Sequence, residues 1–152
     1  MIFNYSKSGY EILNETSNNQ KNLFGNITIK DGDKKQKSVA INILTKNYNK
    51  IINKFADDGW NYIVTCREED LKHSNDKSKM FHPEFKNKND FKKAIKVISI
   101  KLFLKPSGTN NFMSAEIYAE PEGGLDEHVP TLEVYFKEDG SFKIPYNVQY
   151  DG

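Results

Sequence analysis

The sequence predicts an α+β fold: a mostly antiparallel, curved sheet of seven or eight strands with one main amphipathic helix packed on a face. Three observations carry that expectation. The C-terminal third alternates apolar and polar residues with a period of two, as a sheet buried on one side requires. A single apolar stripe at helical spacing runs from Tyr48 to Phe55. No long crossover helices stand out between strand-like segments, which argues against a doubly wound parallel sheet.

The alternation places four strands at residues 98–105, 112–120, 131–137 and 141–148. In the first, Ile98, Ile100, Leu102 and Leu104 share a face; in the second, Met113, Ala115, Ile117 and Ala119; in the third, Leu132, Val134 and Phe136. Pro106-Ser107-Gly108 supplies a turn, and Glu138-Asp139-Gly140 closes a tight hairpin. Upstream, residues 10–13 read as a short strand and 14–22 as a polar loop. A hairpin follows over 23–30 and 38–44, turning through Asp31-Gly32-Asp33, with Val39, Ile41 and Ile43 on one face.

Thr45 is a plausible N-cap for a helix through Asp57, in which Tyr48, Ile51, Ile52 and Phe55 form the core stripe. Gly59 follows as a C-terminal stop, and residues 60–66 alternate as a further strand. Residues 67–88 have no period and read as a long loop. Asn89 or Asp90 caps one or two helical turns that carry Phe91 and Ile95 inward, and 121–130 is the other irregular segment.

A chain of 152 residues forms one domain with a real core, built largely on its 10 Phe and 8 Tyr. A formal net charge of +1 makes no global demand for nucleic acid or membrane. Arg67 is the only arginine among 22 basic residues, and Asn is abundant, a bias of AT-rich genomes. The single Cys66 rules out an intramolecular disulfide and fits a reducing compartment. No basic and apolar leader opens the sequence, and no apolar run reaches the roughly 20 residues a spanning helix needs. The expectation is a cytoplasmic protein that does not enter a membrane.

No assembled chemistry is visible. Cys66 lies on the inward side of its expected strand, where a free cysteine acts as a small buried hydrophobe, and His73, His82 and His128 all fall in loops. A hydrolase pairing Cys66 with His82 or His128 has no local signature to support it. The single cysteine and the missing H-x-x-x-H spacing exclude the common zinc sites, and the loop 30–37, although it contains Asp31-Gly32-Asp33, is too short and too basic for a calcium loop. Phosphate-binding glycine motifs are absent. We expect no enzyme and no cofactor.

Charge distribution is more informative than net charge. Ten lysines lie between Lys72 and Lys105 against Asp76, Glu84 and Asp90, whereas eight acids lie between Glu116 and Asp139 against Lys137 alone. Segregation of this kind steers partners. The acidic end, with Glu120, Glu122, Asp126 and Glu127 beside Leu125, Tyr118 and Tyr135, suits a carboxylate surface with apolar anchors for a basic protein surface. The basic middle, with Phe81, Phe85, Phe91 and Phe103, offers the alternative of nucleic-acid binding, weakened by the single arginine. In size, α+β character, lack of a catalytic constellation and concentrated surface charge, the sequence resembles small bacterial toxin-immunity proteins. That resemblance implies a non-enzymatic module that neutralises a cognate toxin, such as a nuclease, by occluding its basic active surface.

Overall fold

The computed structural model describes residues 23–150. The strand expected at 10–13 and the loop at 14–22 lie outside the described residues. The fold is α+β, but the sheet has five strands in the order β1-β2-β3-β4-β5 and is mixed. The strands are β1 (Asn26–Asp31), β2 (Ile95–Phe103), β3 (Met113–Pro121), β4 (Thr131–Phe136) and β5 (Phe142–Lys143). Three α-helices stand among the described residues: α1 (Lys37–Lys46), α2 (Tyr48–Leu71) and α3 (Lys88–Ala94). All three lie between β1 and β2, which pair parallel; the other pairings are antiparallel.

The expected seven- or eight-stranded, mostly antiparallel sheet is therefore corrected at three places. Residues 38–44 are helical, so no hairpin with 23–30 exists. Val39, Ile41 and Ile43 do alternate, but the buried set is Ala40, Ile41, Ile43 and Leu44, which is the spacing of one helix face. Residues 60–66 belong to α2. That helix buries Ile51, Ile52, Phe55, Ala56, Gly59 and Ile63, a single stripe that continues through the expected stop. Residues 141–148 form only the two-residue β5, after which Gln149 makes an isolated bridge to Thr131.

Gly59 is a contact rather than a terminator. A Cβ there would meet the Phe91 ring at 2.6 Å and the Tyr150 hydroxyl at 2.7 Å, so the missing side chain lets α3 and the C-terminal segment pack on α2. Thr45, expected as an N-cap, instead donates its hydroxyl to the Ile41 carbonyl within α1. Asn47 makes the junction between α1 and α2, its side-chain amide donating to the Ile43 carbonyl at 2.8 Å. Asn87, not Asn89 or Asp90, caps α3 by accepting from the Asp90 amide at 2.9 Å, while Phe91 and Ile95 are buried as expected.

β1 is joined to β2 by close backbone approach at both of its ends. A Cβ on Gly25 would fall 2.0 Å from the Ile98 carbonyl oxygen, and one on Gly32 2.0 Å from that of Leu104. Both glycines have positive φ, which L side chains rarely adopt. Within β2 a register shift between Val97 and Ser99 leaves Ile98 as an extra residue. Ile98 is consequently 40% exposed and does not share the buried face of Ile100, Leu102 and Leu104, a second correction to the alternation. Strands β3 and β4 bury the residues their alternation assigns. Helix residues pack into the same core as that face, and the opposite face of β2, β3 and β4 carries half-buried or exposed side chains.

Candidate functional site

The seven residues expected to form a partner-binding surface separate into three places. Glu122, Asp126 and Glu127 are exposed on the loop joining β3 to β4. Tyr118 and Tyr135 alternate with buried neighbours and point from the uncovered face of the sheet, and Glu120 lies in the same alternation at the end of β3. Leu125 is 3% exposed and belongs to the core, lining one internal space with Phe55, Phe91, Ile95 and Tyr150. It anchors the loop from below and is not available to a partner.

The acidic loop has a defined shape because residues far away in sequence hold it. Gly123 and Gly124 both take positive φ, and the Gly124 amide donates to the Pro121 carbonyl at 2.9 Å, so the chain reverses directly after β3. His82 contacts the Leu125 carbonyl through Nε2 at 2.9 Å. A carbonyl can only accept, so this nitrogen carries a proton. The Tyr62 hydroxyl, from the outer part of α2, donates to Asp126. Asp126 accepts from the Glu127 amide at 2.8 Å as well, and these two donors, the tyrosine first, hold its carboxyl below the ordinary aspartate range. Past the acids, Val129 is 37% exposed and the Pro130 carbonyl accepts from the Ala119 amide.

Val129 is an exposed apolar side chain that sequence reasoning missed. A lone valine between a histidine and a proline has no periodic partner, and only the position of Leu125 in the core shows which of the two residues faces outward.

His82 is itself fixed within the segment expected to be a long loop, whose first residues, 67–71, are helical and end α2. Its Nδ1 lies 2.9 Å from Glu84, whose carboxyl is pulled down mainly by that bond. Its ring meets Phe81 edge-on at 4.5 Å. The single arginine explains the order of this segment. Arg67 on α2 donates Nε to the Phe81 carbonyl at 2.9 Å and Nη2 to those of His82 and Phe85, while its guanidinium lies over the Trp60 ring at 5.2 Å. The fork geometry of guanidinium suits several fixed carbonyls in a way an ammonium does not.

The same contacts bear on the basic middle. Phe85 and Phe91 are in the core, at 9% and 2% exposure, which removes two of the four rings offered for base stacking. Its lysines are dispersed: Lys88 pairs with Asp57 on α2, Lys72 with Glu69, and Lys101 lies over the Tyr118 ring at 5.0 Å. Among the described residues no group of three His, Cys, Asp or Glu is placed to hold a metal ion, and Cys66 is half-buried within α2. No helix among them is long and apolar enough to cross a membrane. No family model, curated protein or solved structure matches the chain.

Proposed function

We propose that this chain is a non-enzymatic protein-binding module, an immunity-type protein that neutralises a cognate toxin by covering a basic surface with the loop between β3 and β4. The observation that supports this reading is the pre-organised acidic loop. Glu122, Asp126 and Glu127 project from a backbone already fixed by Tyr62, His82 and the buried Leu125. Binding then loses little loop entropy, a cost of about 0.5–1.5 kcal/mol for each side chain that must be immobilised. Exposed Val129 adds an apolar contact between the charges and the sheet. Carboxylates in this arrangement complement the lysines and arginines with which a nuclease or similar toxin engages phosphate.

Glu122→Lys and Glu127→Lys are the clean probes, because neither side chain makes a hydrogen bond within the loop among the described residues. Binding of the cognate partner should weaken at least tenfold in the double variant, or about 1.4 kcal/mol, with the melting temperature unchanged. Asp126→Asn tests the loop's shape instead, since it weakens the bond from Tyr62. Unchanged affinity in the Glu122/Glu127 double variant would remove the loop from the interface.

A further inference from the structure

The uncovered face of the sheet has the composition of an interface and a pattern that complements itself. Three of the five large hydrophobic side chains exposed among the described residues are at this face: Ile98 at 40%, Phe112 at 41% and Tyr146 at 57%. Ile98 is there because of the register shift in β2. Phe112 packs near Tyr135, and Tyr146 lines a cleft of about 220 Å³ with Glu116 and Glu133. Apolar groups gathered on one sheet face mark a contact surface.

Its charges are sorted by strand. Lys96 and Lys101 stand on β2 directly opposite Glu120 and Glu116 on β3. None of the ion pairs among the described residues includes any of these four. Lys101 places its ammonium over Tyr118 instead. Glu116 also faces Glu133 across β3 and β4, a like-charge pair that costs stability when nothing neutralises it.

We infer that this face is the contact between two copies of this chain, packed sheet on sheet about a twofold axis parallel to the strands and midway between β2 and β3. The inference is independent of the acidic loop, which lies on the connection beyond the strands. Rotation about that axis lays β2 of one copy over β3 of the other at the same register. Lys101 then meets Glu116 of the second copy, and Lys96 meets its Glu120. The remaining rows match in shape: Phe103 falls on the small Ser114, and Tyr118 on Ser99 and Ile98. Each outward-facing row of the β2–β3 pair is complementary under one operator, as an isologous interface requires. The strands of the two sheets run aligned, the usual geometry of face-to-face packing.

Sedimentation velocity of the full chain over a concentration series tests this. The wild type should associate to a dimer. Lys101→Glu and Glu116→Lys should each weaken the dimer by about tenfold or more, with circular dichroism confirming the fold. Mixing the two variants should restore it as a heterodimer, because at the 101/116 row one then carries only acids and the other only lysines. An intramolecular pairing cannot produce that rescue. A wild type that stays monomeric at all concentrations would overturn the inference. So would a dimer that both reversals leave intact, or variants that fail to associate when mixed.

Discussion

Replacing Gly59 by alanine sets two effects of known sign against each other. In the interior of a helix the change normally stabilises by about 1 kcal/mol, because glycine loses more backbone entropy on folding. Here the new methyl would lie 2.6 Å from Phe91 Cε2, 2.7 Å from its Cζ and 2.7 Å from the Tyr150 hydroxyl. Carbon atoms prefer about 3.5–4.0 Å, so the overlap approaches an ångström. Phe91 is 2% exposed and packed against Trp60 and Phe85, so its ring has nowhere to retreat. Overpacking of this kind costs about 1–3 kcal/mol. Set against that gain, the steric cost leaves Gly59→Ala destabilising by up to about 2 kcal/mol, or up to about 4–8 °C in melting temperature.

The assay is urea unfolding followed by circular dichroism, run as a double-mutant cycle with Phe91→Leu. Leucine lacks the ring carbons that meet the methyl, so the cost of Gly59→Ala should fall by about 1 kcal/mol or more in that background. A glycine that merely ended the helix would show no coupling to Phe91. Stabilisation by Gly59→Ala, or the same cost in both backgrounds, would refute the packing of α3 on α2 through this position.

Three further outcomes are expected. Arg67→Lys should destabilise by about 2 kcal/mol, within the range for hydrogen bonds to a charged donor, and amide exchange should speed up over residues 81–85; unaltered protection there would show that the guanidinium does not order the segment. In protein dilute enough to be monomeric, Ile98→Thr should change stability by less than about 0.5 kcal/mol whereas Ile100→Ala should cost about 2–5 kcal/mol, a contrast that chemical denaturation reads directly and that equal costs would contradict. Asp139 is pushed down to about 2 by the Ser141 hydroxyl and amide and the Asn110 side chain, and Glu138 is lowered by the Asn110 amide and by Gln36. Both folded values lie below the unfolded ones, so their stabilisation is complete above about pH 5 and is lost as the pH falls toward 2. Unfolding midpoints should therefore drop between about pH 5 and 2, and Asp139→Asn should flatten that drop; an identical acid limb in the variant would dismiss the turn as its source.

Much of the sheet was legible because a half-buried antiparallel strand writes its alternation into the sequence, and β3 and β4 bury the residues that alternation names. The helices were less so, for two physical reasons. Val39, Ile41 and Ile43 are β-branched and spaced by two, which imitates a strand unless Ala40 and Leu44 are seen to complete a helix face. Gly59 is a stop signal in isolation and a packing site only in the presence of Phe91, more than thirty residues on. Once both segments are helical, β1 has no hairpin partner, and the long helical connection is what permits its parallel pairing with β2. Of the site, the acids of the β3–β4 loop were legible by type. Their fixing by Tyr62 and His82 was not, since contacts between residues 64 and 43 positions apart leave no local pattern.

Co-expression of the tagged protein with its neighbouring reading frames, followed by capture and mass spectrometry, tests the proposed function most directly. A protein that is toxic when expressed alone should be retained in stoichiometric amount through a salt wash that strips nucleic acid, and should be lost from the Glu122→Lys/Glu127→Lys variant. Recovery of nucleic acid alone, released as salt rises, would contradict the account, as would equal retention of the protein partner by the wild type and the variant.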